Sequence, residues 1–121
     1  MTFNDNKSIY EQIVDFGYAR VISGDWPEEG RIPSTKDLAI QMGVNPRTVM
    51  KAYDRLAEEQ IIYQRRGLGY FISGNARERV LDVRRLEFRK TQVPAISAML
   101  SELGYTTADL VDMIDSYNNS I

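Results

Sequence analysis

The stretch Ser34–Leu56 reads STKDLAIQMGVNPRTVMKAYDRL. Two helices are legible in it. Ser34 is a preferred N-cap, because its side-chain oxygen can accept from an orphan N–H of the first turn. Asp37, three residues on, is a weaker form of the capping-box partner. Leu38, Ala39 and Met42 line one face at helical spacing, and Gly43 ends the helix. Only Val44 and Asn45 then intervene. Asn45-Pro46 is a start signal, since asparagine caps and proline suits the first helical position, where the missing N–H has no partner to lose. Val49, Ala52, Tyr53 and Leu56 form the apolar stripe of this helix. Two helices joined by so short a glycine-containing turn make a helix-turn-helix.

The flanking segments supply the rest of the domain. Upstream, Ser8 and Glu11 read as a capping box, and Tyr10, Ile13, Val14, Gly17 and Val21 fall at helical spacing. Ser23-Gly24 supplies the stop, so a helix is expected at about 8–23. Gly17 is out of place there, because a mid-helix glycine costs about 1 kcal/mol relative to alanine. Either another backbone packs closely on it or the helix is weakened. Asp25–Arg31 is a loop containing Trp26-Pro27 and Gly30, and Arg31-Ile32 suits a very short strand. Downstream, Ile61–Arg65 and Tyr70–Ile72 flank Arg66-Gly67-Leu68-Gly69, a hairpin with a glycine-rich tip. The order helix, helix-turn-helix, hairpin is that of a winged helix. The expected fold class is mainly α with a small β-hairpin, followed by a two-helix C-terminal tail.

Ser73-Gly74-Asn75 marks the boundary, giving residues 1–75 as the winged domain and 76–121 as the tail. The tail reads helical from Ala76, with Leu81, Leu86, Val93, Ile96, Leu100 and Leu103 as apolar positions. Pro94 should kink or split that run, because it removes a helical hydrogen bond. Gly104 ends it. Thr106 and Asp109 cap a last helix bearing Leu110, Val111, Ile114 and Tyr117.

The 121 residues are 43% hydrophobic, which favours a folded chain over disorder. There is no cysteine and no histidine. Disulfides, thiolate or imidazole metal sites, and Ser-His or Cys-His catalysis are therefore excluded, leaving only carboxylate or lysine chemistry. The acidic pair Glu28-Glu29 sits in a loop without a basic partner. No enzymatic activity, metal or cofactor is expected. Residues Met1–Lys7 lack the apolar run of a signal peptide, and no stretch approaches the roughly 20 apolar residues of a membrane span. A cytoplasmic chain without a membrane partner is expected.

Net charge is −2, which taken whole speaks against a nucleic-acid binder. Its distribution speaks the other way. Residues 31–75 carry Arg31, Lys36, Arg47, Lys51, Arg55, Arg65 and Arg66 against Asp37, Asp54, Glu58 and Glu59. The flanking segments are both net acidic. Positive charge is thus concentrated in the helix-turn-helix and hairpin.

Arg47, Lys51 and Arg55 are four apart and project on one side of the third helix, opposite its apolar stripe. A helix fits the major groove, and its N-terminal residues usually reach base edges. Arg47 can pair bidentately with guanine, and Thr48 can meet a thymine methyl or a phosphate. Lys51 can reach bases or phosphate, whereas Arg55 is a backbone-contacting or structural charge. The start of the second helix offers Ser34, Thr35 and Lys36 with unpaired N–H groups suited to a phosphate oxygen. Arg65, Arg66 and Gly67 form the hairpin tip, where two arginines and bare backbone can approach a phosphate or enter the minor groove. Each element has a plainer reading. The helical cations can be a solvated face paired with Asp54 or Glu58. Arg65-Arg66 can be edge-strand charge that prevents aggregation. Their convergence in one supersecondary unit favours double-stranded DNA as partner. A winged-helix protein adaptor is the competing class, favoured by the acidic total charge. Tyr53, Tyr63, Tyr70 and Phe71 are read as core.

The chain resembles the GntR family of bacterial regulators. The resemblance runs unbroken over residues 8–73. It is carried by Ser8-Ile9-Tyr10-Glu11-Gln12-Ile13, Ile32-Pro33-Ser34-Thr35-Lys36-Asp37-Leu38-Ala39, Met42 to Tyr53, and Arg65-Arg66-Gly67-Leu68-Gly69-Tyr70-Phe71-Ile72. Asn45 to Tyr53 with the short tail looks most like the YtrA subfamily. That resemblance implies a homodimer through the C-terminal helices, usually acting as a repressor in the cytoplasm. It places DNA contacts at Lys36, at Asn45, Pro46, Arg47 and Thr48, and at Arg65, Arg66 and Gly67. Three positions depart from the family pattern. Gly17 replaces an aliphatic residue, and Lys36 keeps the charge of an arginine without its bidentate geometry. Gln60 stands where a glycine commonly ends the recognition helix, so the exit is expected to do without the usual left-handed cap.

Residues 76–121 are too few for a pocket-bearing effector domain of their own. Two helices with apolar stripes are expected to bury them against a second copy, so that a dimer reads a palindromic operator. The alternative is a tail folded back on its own winged domain. The sequence names no effector.

Overall fold

The computed structural model describes residues 7–121. Of the N-terminal reading, residues 1–6 lie outside the described set. Among the described residues the helices are α1 (Ile9–Ser23), α2 (Thr35–Met42), α3 (Pro46–Glu58), α4 (Ala76–Glu87), α5 (Val93–Leu103) and α6 (Thr107–Asn119). Strands β1 (Ile62–Arg65) and β2 (Gly69–Ile72) stand between α3 and α4. The chain divides into two compact units, with the division between Asp82 and Val83, inside α4.

The winged unit is built from the elements the sequence announces. Ser8 caps α1 by accepting from the Glu11 N–H at 3.1 Å. The return bond of a capping box is not formed, because the Ser8 hydroxyl donates to the Glu11 carboxylate instead. Gly24 (φ 84°) and Gly43 (φ 68°) close α1 and α2 in the left-handed conformation. Asn45 caps α3 through the Arg47 N–H at 2.9 Å. The core collects Ile13, Val14, Tyr18 and Val21 from α1, Leu38 and Ala39 from α2, and Val49, Ala52, Tyr53 and Leu56 from α3. Ile32, Ile61, Ile62, Ile72, Ala76 and Val80 complete it.

The wing is an antiparallel pair with Ile62 opposite Ile72 and Arg65 opposite Gly69. Gly69 therefore belongs to β2, and the tip is the three residues Arg66-Gly67-Leu68 rather than the four expected. Gly67 takes φ 77° there, which costs glycine nothing. Arg31 bridges Phe71 as a third, one-residue strand. The Ile32 N–H donates to the Tyr70 carbonyl at 3.0 Å.

Gly17 is explained by a side chain rather than a backbone. A Cβ built on it would meet Leu56 Cδ1 at 3.0 Å and Trp26 at 3.7 Å. The missing methyl lets α3 seat Leu56 against α1.

The exit of α3 corrects the expectation for Gln60. Gln60 does adopt the left-handed conformation, at φ 61°. Its N–H donates to Ala57 O, and the Ile61 N–H reaches back to Leu56 O at 2.9 Å, the pattern of a glycine-type helix stop. The backbone must turn here to enter β1, so the residue takes the conformation its side chain disfavours. Gln60→Gly is expected to raise stability by about 0.5–1 kcal/mol, less a small loss from the exposed hydrogen bond that Gln60 accepts from Arg79. A melting curve beside the parent chain reads it, and an unchanged or lower midpoint would contradict the strain.

In the second unit, the segment Phe88–Gln92 between α4 and α5 is π-helical. The Val93 N–H bonds Phe88 O, five residues back. Pro94 lacks an N–H, so the regular ladder cannot continue through it, and the wider turn absorbs the mismatch one turn earlier. The run thus splits as expected, with the irregularity before the proline. Thr106 and Asp109 form a full capping box on α6. No residue of α5 or α6 is buried. Phe88, Val93, Ile96, Leu100, Leu110 and Ile114 line an apolar groove of about 440 Å³ within this unit.

Candidate nucleic-acid interface

One buried side chain draws three parts of the helix-turn-helix and wing together. Tyr53 on α3 donates its hydroxyl to Pro33 O at 2.7 Å. Pro33 immediately precedes Ser34, so this bond pins the start of α2. The Tyr53 ring meets Tyr70 of β2 edge-on at 5.0 Å, so the same residue fixes the wing. Its phenol is fully buried, and burial pushes its pKa well above the ordinary range.

On this frame, the Ser34 oxygen accepts from the Asp37 N–H at 3.0 Å and caps α2. Thr35 is half-buried and Lys36 is exposed on the first turn. Asn45 is exposed, and its side chain is spent on the cap of α3. Arg47 is exposed and Thr48 half-buried beside it.

The three cations of α3 do not behave alike. Arg47 meets no acidic partner among the described residues. Lys51 places its ammonium over the Tyr10 ring at 4.5 Å. Arg55 lies 5.9 Å from the same ring and pairs with Glu59 at 3.5 Å, not with Asp54 or Glu58. Glu59 also accepts from the buried Tyr18 hydroxyl. Arg55 is thus a structural charge at the α1–α3 seam.

The wing arginines divide in the same way. Arg65 stacks over its own sheet, 5.1 Å from the Phe71 ring and 5.6 Å from Tyr63. Arg66 and Gly67 are exposed at the tip. Tyr63 donates to Glu29 at 2.7 Å, and that hydrogen bond, before burial, raises its pKa. Tyr63, Tyr70 and Phe71 are half-buried supports of the wing; only Tyr53 is core. Two residues were missed from sequence. Arg31 is exposed and lies against Gly69, 3.3 Å from where a Cβ would stand. Its signal was the short strand preceding Ile32. Tyr10 was read only as part of an apolar stripe.

Tyr18 and Tyr53 give the unit an alkaline limit. Burial raises both phenols, helped at Tyr18 by the Glu59 hydrogen bond. In the unfolded chain both ionise near pH 10. Folded pKa values above the unfolded one mean full stability below about pH 10 and loss as pH rises beyond it. The loss is about 1.4 kcal/mol per pH unit for each phenol. Melting midpoints should fall steeply above that pH, and Tyr53→Phe should flatten the fall. An equal slope in the variant would contradict this.

No described helix is long and apolar enough to cross a membrane. The described residues hold no cluster of three or more acidic side chains able to bind a metal.

Comparison with known proteins agrees with this geometry. The family model for bacterial regulatory proteins of the gntR family matches residues 7–72. The chain is 28% identical over 115 residues to the HTH-type transcriptional regulator YhcF of Bacillus subtilis, covering 95% of this chain and 93% of that one. It is 38% identical over 74 residues to the HTH-type transcriptional repressor YtrA of the same organism, covering 61% of this chain and 57% of YtrA. A crystal structure of a GntR-family regulator from Bacteroides thetaiotaomicron superposes with a TM-score of 0.81 at 31% identity, over 93% of this chain and 98% of that one. The chain therefore belongs to the gntR family of bacterial regulatory proteins, as a YtrA-like, DNA-binding transcriptional regulator with a winged helix-turn-helix.

Proposed function

We propose that this regulator is a cytoplasmic repressor that binds a palindromic operator as a homodimer. Residues 1–75 act as the DNA-binding domain and 76–121 as the dimerisation tail. The N-terminal turn of α3 enters the major groove, where Arg47 and Thr48 read base edges and Lys51 contacts base or phosphate. Ser34, Thr35 and Lys36 hold a phosphate at the start of α2, and Asn45 sets the entry of α3. Arg65, Arg66 and Gly67 at the wing lie on the backbone or in the minor groove.

The observation that carries the DNA-binding surface is Arg47. It is an unpartnered, exposed arginine on the first turn of a helix whose opposite face is wholly buried. The observation that supports the dimer is the tail. Met99, Leu103, Val111 and Tyr117 are 50–66% exposed in one copy, and no residue of α5 or α6 is fully buried. A soluble chain rarely leaves such a surface uncovered, and a twofold mate covers it symmetrically.

Operators selected from a random duplex pool provide the test. Arg47→Ala is expected to weaken the selected operator by about 5–150-fold and to relax the base preference at one position of each half-site. Unchanged affinity and preference would remove Arg47 from the base-reading surface. Half-sites without twofold symmetry would overturn the palindrome.

A further inference from the structure

We infer that Tyr10 is a positioning residue for DNA binding, holding the Lys51 ammonium ready for a phosphate. The inference rests on the reading that α3 faces DNA. Tyr10 stands on the second residue of α1, across the seam from α3, and is half-buried. Lys51 is exposed, yet its Nζ lies 4.5 Å from the centre of the Tyr10 ring. A ring face attracts a cation without neutralising it. The ammonium is therefore fixed in place while its charge remains available.

The surroundings show why a seat matters. Tyr10, Lys51, Asp54, Arg55, Glu58 and Glu59 line one open groove between α1 and α3. Three of these six are acids. Arg55 and Tyr18 occupy Glu59, which leaves Asp54 and Glu58 as competitors for a lysine on the same helix. Asp54 is three residues on from Lys51, within reach of its flexible stem. A lysine paired with it would be spent before DNA arrived. The ring holds the ammonium out of that pairing and removes rotamer freedom that would otherwise be lost on binding a phosphate.

The test uses the full chain and a mixed-sequence duplex of about 30 base pairs, because phosphate contacts are independent of sequence. Lys51→Gln is expected to weaken binding and to lower the slope of log affinity against log salt by about one. Tyr10→Leu should weaken binding about three-fold and lower the slope by part of that amount. Tyr10→Phe keeps the ring and should restore both values. In the Lys51→Gln background, Tyr10→Leu should change neither. An equal loss from Tyr10→Leu with and without Lys51 would show a purely structural role and overturn the inference, as would a Tyr10→Phe variant as weak as Tyr10→Leu. A parent chain with no duplex affinity overturns the DNA-binding reading itself. A parent chain that binds, beside a Tyr10→Leu variant that binds equally well, overturns the role of Tyr10 alone.

Discussion

A chain carrying Leu103→Asp and Val111→Asp is expected to sediment as a monomer and to lose operator affinity by about two orders of magnitude or more. Both side chains are at least half exposed in one copy, so the charges enter water and leave the monomer fold intact. In the proposed dimer they would enter an apolar interface, where an unpaired carboxylate is strongly disfavoured. The affinity follows from the mass. Two linked winged units hold the second half-site at an effective concentration that a monomer cannot supply. The winged unit itself should be untouched. The measurements are sedimentation equilibrium at micromolar concentration and titration of the selected operator. A parent chain already monomeric would sink the dimer. A variant that remains dimeric would place the interface elsewhere on the chain.

Leu56→Ala carries the second large effect, a loss of about 2–5 kcal/mol of stability. Leu56 is 1% exposed and fills the space that Gly17 leaves open on α1. Truncation removes buried methyl groups and opens a cavity between α1 and α3, at the contact that sets the recognition helix against the first. Adding Gly17→Ala should recover part of the loss. Its Cβ, tight against Leu56 at 3.0 Å in the parent, would enter vacated space, and alanine gains helix propensity. Chemical denaturation of the single and double variants reads both effects. Simple additivity of the two substitutions would contradict direct packing of Leu56 on Gly17.

Local chemistry made most of the fold legible. The caps at Ser8, Ser34, Asn45 and Thr106, the stops at Gly24, Gly43 and Gly104, and the stripe of Val49, Ala52, Tyr53 and Leu56 all depend on residues within a turn or two of each other. Such signals are complete in the sequence, because the hydrogen bonds and periodicities they describe are local. The wing was also readable, apart from Gly69, whose place in β2 depends on register across the hairpin. The dividing line of the two compact units was not readable, because Ala76 and Val80 are buried in the first unit although they follow a turn signal.

The candidate site was legible as a set of residues and not as an arrangement. Four-residue spacing put Arg47, Lys51 and Arg55 on one side of a helix, and nothing in that spacing separates them. Their contacts do, and apart from Glu59, four residues on from Arg55 at the end of α3, those contacts lie on other elements. Tyr10 and Tyr18 come from α1, some 40 residues away for Lys51 and Arg55, while Phe71 comes across the wing to Arg65. The same holds for Gly17 and Gln60. Local sequence signals suffice for a winged helix-turn-helix with its positive charge gathered on the helix-turn-helix and wing. Which cations are seated or spent, why α1 tolerates a glycine, and why α3 ends on a left-handed glutamine emerge from the packed chain. Those outcomes depend on what distant segments bring within a few ångströms, and local periodicity carries no record of it.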